Sequence, residues 1–373
     1  MREILLFIHR WIGLTAGIIF GIVSLTGGIL VYEIEIDELF HGPRFATTPG
    51  LVDPTVVLAQ VQEQYPDATF AQVDWPTSSA NIYRVHFEVD GNRRFLTFDP
   101  GSGNEIRARA PNRVLFFNRR VHSSLMIGPI GNRLVQYTSM AAILAIVLGI
   151  YLWWPGIRRF WKGFQIRLRR DFYILNFDFH QVLGILSLPL LLALTVTGVL
   201  LPHPQMVNRF ADRLHGPPPA DPLGQVTSTL PADSAMPRAS LATITASALR
   251  ATGGEVSAVL YPRQPQGPFI AVILGAGGGS RRDATRVALD AWSGNVLGTH
   301  QVDTPIRFDF DFNERLHLAR LGGEVMRLLT AIVCFIGFIL LPTGVVVWWI
   351  KRSRKATAAE RRENRGTLSA QPE

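Results

Sequence analysis

Apolar residues concentrate in four runs, 4–32, 134–154, 182–201 and 328–350, and thin out between them. Each run is close to the roughly 20 residues that cross a hydrocarbon core of about 30 Å at 1.5 Å per residue. Lipid offers backbone polar groups no partner, so each run is predicted to be a transmembrane helix. Between the runs the pattern turns to alternation. Residues 82–89 alternate apolar and polar side chains ahead of Asp90-Gly91, a hairpin signal, while 269–274 and 284–289 read as strands around the Gly-rich loop 275–279. Helical segments are expected before these strands, at 54–64 and 241–251. The pattern defines a membrane α-helical protein with four transmembrane helices and two small α+β external lobes.

The predicted organisation is a first transmembrane segment over 1–36, an external lobe over 37–127 and a second span over 128–156. A basic cytoplasmic loop follows over 157–177, then a third span over 178–202. The second lobe covers 203–316, with a Pro-rich insert at 216–237. The fourth span covers 317–350, and a basic tail without regular structure covers 351–373. The echo of Asp99-Pro100-Gly101-Ser102-Gly103-Asn104 by Asp290-Ala291-Trp292-Ser293-Gly294-Asn295 points to related lobes.

Charge sets the orientation. The formal net charge is +8, and its excess lies beside the spans. Arg158, Arg159, Lys162, Arg167, Arg169 and Arg170 follow the second run, and Lys351, Arg352, Arg354 and Lys355 follow the fourth, whereas the first run exits into Glu33, Glu35, Asp37 and Glu38. The positive-inside rule places both termini and the middle loop in the cytoplasm and the lobes on the other side, which for a bacterial inner membrane is the periplasm. The basic charge then reports topology, and no nucleic-acid partner is expected. The first run is too long for a signal-peptide core and no A-x-A-like site follows it, so it reads as a retained anchor. Cys334 is alone, which excludes a disulfide framework, a C-x-x-C redox pair and C-x-x-C-H haem attachment. The 275–279 loop lacks the Lys-Ser/Thr ending of a P-loop and reads as a hairpin loop.

The histidines recur in register. Phe117-Asn118-Arg119-Arg120-Val121-His122 is matched by Phe312-Asn313-Glu314-Arg315-Leu316-His317, with Gly149 and Gly344 each 27 residues beyond the histidine. Trp153-Trp154 and Trp348-Trp349 follow, as interface anchors. His9 and His180 match likewise, with Gly13 and Gly184 at +4 and Gly27 and Gly198 at +18. The four helices thus read as a two-fold pseudo-symmetric duplicated bundle. Topology puts His9 with His180 near the cytoplasmic face and His122 with His317 near the external face. Titratable side chains in such segments are costly without a role. A haem iron accepts two axial imidazoles from facing helices, and these pairs are the candidate ligands. Gly13 and Gly184 would leave room for the flat ring, and Arg10, Arg119, Arg120, Arg315 and Arg320 are candidates for its propionates. Zinc fits poorly, since no close Cys/His spacing supplies third and fourth ligands. No Gly-x-Ser-x-Gly or His-Glu-x-x-His motif supports a hydrolase. His41, His86, His203, His215 and His300 have weaker claims to a site.

Ile8-His9-Arg10-Trp11-Ile12-Gly13-Leu14, Phe179-His180-Gln181-Val182-Leu183-Gly184, the Asp99-Pro100-x-Ser102-Gly103 turn and Trp153-Trp154-Pro155 resemble the PepSY-associated transmembrane family, and the resemblance runs to about Arg354. It implies PepSY-like lobes and, from members that look like inner-membrane ferric-siderophore reductases, two b-type haems. The activity it implies is oxidoreduction, with electrons crossing the membrane from an unidentified donor to a ferric siderophore or other ferric chelate, and iron released as Fe(II). The Ala291-Trp292 departure puts the second turn in question. Two other readings stand beside this one: a membrane-anchored protein whose lobes bind a partner or regulate a peptidase, and a haem-bearing subunit that passes electrons to another protein. No nicotinamide or flavin fingerprint identifies a donor.

Overall fold

The computed structural model describes residues 1–77, 81–109, 112–168, 170–217, 221–231, 236–275, 284–301 and 308–369. They fall into two compact units, one of residues Met1–Phe40, Pro111–His215 and Phe308–Glu373, the other of His41–Ala110 and Gly216–Arg307.

The first unit is helical. It comprises α1 (Arg2–Leu30), α2 (Glu33–His41), α4 (Arg113–Ser124), α5 (Gly128–Trp153), α6 (Phe172–Leu200), α7 (Pro204–His215), α9 (Phe310–His317) and α10 (Gly323–Ser369), with α3 in the other unit at Pro54–Gln64. Helices α1, α5, α6 and the Gly323–Arg354 part of α10 are long and apolar enough to cross a membrane, which makes this a multi-pass membrane protein. They pack as a ring in which α1 and α6 each touch both α5 and α10. Leu191, Leu194, Val333 and Cys334 form its buried centre, with Phe20 and Ile146 packed against them.

Three expected boundaries shift. Helix α6 begins at Phe172 and not near 178, because the Asp171 side chain accepts from Ile174 N at 2.9 Å and caps it. The charge of Asp178 inside that added turn is met by a bidentate Arg167, at 2.6 and 2.8 Å. Helix α10 continues through the tail expected to be irregular, where Ala, Glu and Arg favour helix. Segments assigned to the lobes, α4, α7 and α9, belong to the helical unit. Helix α7 carries no long apolar run and was not expected; Val207 and Ala211 are its buried face.

In the second unit the expected helices are present as α3 and α8 (Leu241–Thr252). The two separate lobes are not. Strands β1 (Thr69–Asp74), β2 (Tyr83–Val89), β3 (Asn92–Phe98), β4 (Glu255–Leu260), β5 (Phe269–Leu274), β6 (Thr285–Leu289) and β7 (Val296–Gln301) form one antiparallel sheet, ordered β3-β2-β1-β4-β5-β6-β7. The seam pairs Gln72 with Leu260, Val73 with Val259 and Asp74 with Ala258. Each half alone would leave β1 or β4 as a bare edge; pairing them covers both edges. It also merges Val73, Val85 and Phe87 with Val259, Phe269 and Val287 into one core with α3 and α8 residues.

The two Asp turns are alike despite Ala291-Trp292. Asp99 accepts from Ser102 N at 3.0 Å and Thr48 N at 2.7 Å; Asp290 accepts from Ser293 N at 2.8 Å and Thr229 N at 2.9 Å. The aspartate, serine and left-handed glycine (Gly103 φ 75°, Gly294 φ 70°) make both turns. Of the two positions between, Gly101 has no room for a Cβ, which would lie 2.5 Å from Pro49 O, whereas Trp292 occupies the matching place in the second turn. Most of the Gly-rich 275–279 loop and parts of the 216–237 insert lie outside the described residues. Within the insert, Pro222–Gln225 forms one 3-10 turn that buries Leu223.

Candidate functional site

The four histidines meet in the two pairs expected from depth. The rings of His9 on α1 and His180 on α6 have centroids 6.5 Å apart. Those of His122 on α4 and His317 on α9 are 6.2 Å apart. With a metal–imidazole bond of about 2.0–2.1 Å, and a ring nitrogen roughly 1.1 Å from its centroid, two axial imidazoles place their centroids about 6.3 Å apart. Both pairs have the spacing of ligands on opposite sides of one metal ion.

Each ring is held through Nδ1. His9 Nδ1 donates to Ala145 O at 2.9 Å, His122 Nδ1 to Val23 O at 2.8 Å and His317 Nδ1 to Leu194 O at 3.0 Å. His180 Nδ1 donates to Thr343 Oγ1 at 2.9 Å. That hydroxyl gives its own proton to Ile339 O and Leu340 O, so it accepts from the ring. Donation from Nδ1 fixes the tautomer and leaves the Nε2 lone pair free for a metal. The outer pair is also kept neutral. Burial pushes His122 below the ordinary imidazole range, and burial with the neighbouring His122 pushes His317 down to about 4.

A motif overlooked in the sequence seats three of the four rings. Asn118, Asn313 and Asn176 each stand four residues before a histidine, hence on its helical face. Their Nδ2 atoms donate to Thr26 O at 3.1 Å, Thr197 O at 3.3 Å and Thr343 O at 2.8 Å. Those threonines also present Oγ1 to the rings, at 3.4 Å for His122 and 3.1 Å for His317. Each threonine precedes a glycine on which the ring rests. An added Cβ would lie 2.8 Å from His122 Cε1 at Gly27, 2.9 Å from His317 Cε1 at Gly198 and 3.3 Å from His180 Cε1 at Gly344. The glycines at +18 and +27 therefore serve a histidine of another helix. At His9 both partners are apolar, Leu5 and Leu148, and Gly149 Cβ would be 3.5 Å from the ring.

The remaining candidates are mixed. A Cβ on Gly13 would meet nothing within 4 Å, and one on Gly184 only Leu340 Cδ2 at 3.7 Å, so the first leaves open space one turn from His9. Arg10 stacks on Phe7 and Trp11, and its buried Nε has no hydrogen-bond partner. Arg119 pairs with Glu33, Arg120 lies over Phe116, and Arg315 and Arg320 flank His317. Gly-facing histidines aside, His86 bonds Asp74 at 3.2 Å on the sheet and His215 packs on Phe308. Trp153, expected as an interface anchor, is instead buried, donating from Nε1 to Gly163 O at 3.1 Å.

No curated protein matches the chain. The family model for the PepSY-associated TM region matches it over residues 6–262 and again over 211–370, nearly its whole length. The chain is a membrane protein of the PepSY-associated TM region family.

Proposed function

We propose that this protein is a dihaem b-type ferric-chelate reductase of the bacterial inner membrane, taking electrons from a donor and releasing iron as Fe(II) outside. The observation that carries the reading is the geometry of the two pairs: imidazole centroids 6.5 and 6.2 Å apart, each ring with Nδ1 satisfied and Nε2 free. Among the described residues no group of three metal-ligating side chains forms, and a two-nitrogen donor set suits the axial positions of a macrocycle that brings its own four nitrogens. The buried unbonded Nε of Arg10 is a donor that lacks an acceptor, which a propionate carboxylate would supply. Haem, when bound, supplies one-electron redox chemistry at each pair. The chain's own residues hold the ligands in one tautomer and one orientation. We further propose that the matched Asn, Thr and Gly positions reflect a two-fold duplicated bundle with both termini cytoplasmic, a reading that the Lys and Arg distribution supports. The substrate would be a ferric siderophore or another ferric chelate, because hard-oxygen chelators hold Fe(II) far less tightly than Fe(III).

The test is an optical spectrum of the purified full chain. The expected result is dithionite-reducible b-type absorption at two haems per chain, one of them lost in a His122→Ala/His317→Ala variant. Reduced protein should then deliver Fe(II) from a ferric chelate to a colorimetric ferrous trap. A chain without haem would leave the lobe-binding reading, for which the exposed edges β3 and β7 are the available strand-pairing sites. A chain with haem that reduces no chelate would point to a subunit that serves another protein.

A further inference from the structure

Of the four seats, that of His9 is built differently. The other three rings have a threonine hydroxyl against Nδ1 and an asparagine clamping that threonine's carbonyl. At His9 the corresponding positions are Leu5 and Leu148, and Nδ1 keeps the Ala145 carbonyl as its partner. Steric confinement is weaker too. The distance from an added glycine Cβ to ring Cε1 is 2.8, 2.9 and 3.3 Å at the clamped rings but 3.5 Å, ordinary contact, at Gly149. Beside the ring Gly13 leaves open space, where the matching Gly184 has Leu340 against it. Outer partners that orient a ligating imidazole typically change metal affinity by about 10–100-fold. Losing a hydroxyl acceptor, a clamp and tight packing at one ring concentrates that weakness in a single ligand.

We propose that His9 is an exchangeable ligand, and that the inner site, once its iron is Fe(II), binds a small neutral π-acceptor diatomic molecule in place of His9. This inference rests on the two-haem reading. In the exchange the iron–Nε2 bond to His9 breaks and an iron–carbon bond to carbon monoxide, the probe, forms. No electron or proton is transferred. His9 leaves the iron as an uncharged imidazole, and His180 would still hold it. The outer site, with both rings clamped, stays closed to the probe.

The experiment adds carbon monoxide to the dithionite-reduced full chain in detergent and follows the haem absorption. One haem of the two is expected to convert to the carbon monoxide form. A Leu5→Asn/Leu148→Thr variant, which installs the missing clamp, should bind the probe about tenfold more weakly, and Leu148→Thr alone gives the same direction if the double variant does not fold. The conversion should persist in His122→Ala/His317→Ala protein, which retains only the inner haem. Conversion of neither haem, conversion of both in the wild type, or affinity unchanged in both leucine variants overturns the proposal while leaving the two-haem reading intact. Absence of any b-type absorption before the gas is added overturns the reading itself.

Discussion

Replacing the four seat glycines one at a time by alanine should give a graded series. A Cβ at Gly27 sits 2.8 Å from His122 Cε1 and 3.2 Å from Nδ1. Carbon atoms are comfortable at about 3.5–4.0 Å, so the ring, or α1, must yield by roughly 0.7 Å. Overpacking of that kind costs about 1–3 kcal/mol. Alanine in a helix interior returns about 0.8–1.0 kcal/mol over glycine, so the net destabilisation is up to about 2 kcal/mol. The larger effect is on the ligand, because a ligating group must be held within about 0.5 Å of its productive position. Gly198→Ala, at 2.9 Å from His317, should match Gly27→Ala. Gly344→Ala, at 3.3 Å from His180, should be milder, and Gly149→Ala, at 3.5 Å from His9, should leave the helix slightly more stable. The assay is the haem-to-protein ratio of each purified variant. About one haem per chain is expected for Gly27→Ala and Gly198→Ala, and two for Gly149→Ala. Loss at Gly149→Ala equal to that at Gly27→Ala, or full retention with an unchanged spectrum at Gly27→Ala, would refute the seating geometry.

Other outcomes follow from the same contacts. Arg167→Ala strips the bidentate partner from Asp178, which is 3 % exposed; since Arg167 is itself half exposed, a loss of about 1–3 kcal/mol is expected in thermal unfolding, with Arg167→Lys restoring part of it. Gly13→Ala should leave folding unharmed yet lower retention of the inner haem, and unaltered retention would remove Gly13 from that site. Acid should loosen the sheet unit through its two aspartate turns. Burial alone would raise Asp99, but bonds from Ser102 and Thr48 hold it well below the carboxylate range, and Asp290 is held down likewise by Ser293, Thr229 and Trp292 against its own burial. Their stabilisation is complete above the unfolded value of about 3.9 and fades as pH falls through the lower folded values. Asp99→Asn should therefore flatten the pH dependence of protease resistance below about pH 4, and an undiminished acid response would assign it elsewhere.

The spans, the hairpin at Asp90-Gly91, helices α3 and α8 and the histidine pairing were legible in the sequence, because each is written in local periodicity or in the order of elements through the bilayer. What holds the histidines was not. Thr26 and Asn118 lie 92 residues apart in sequence, and Asn313 and Thr197 lie 116 apart. Alone, an asparagine on an apolar helix face and a Thr-Gly step read as polar trim and helix packing. The signal was present as a correlation: Asn stands four residues before a histidine in the three cases where Thr precedes the facing glycine, and both are leucine in the fourth. The fused sheet was equally hidden, since strand patterns state which face is apolar but not which edges join.

The seats also tie the two sites together. Helix α1 carries His9 near one end and the Thr26-Gly27 seat of His122 near the other, and α6 carries His180 and the Thr197-Gly198 seat of His317. Eighteen residues separate ligand from seat on each helix, about 27 Å of continuous backbone at 1.5 Å per residue. Helices α5 and α10 supply the inner seats, at Ala145-Gly149 and Thr343-Gly344. No pair is therefore built from one half of the chain: each ring pair draws one ligand from residues 1–124 (His9, His122) and its opposite from residues 172–317 (His180, His317), and every seat lies on a helix other than the ligand's own. An axial shift of α1 by even one residue, 1.5 Å, would unseat His122 while carrying His9 along its own seat on α5. The spacing between ligand and seat is thus a fixed dimension that both sites share, and insertion of a residue between Gly13 and Gly27 should disturb the outer pair as surely as a substitution at His122.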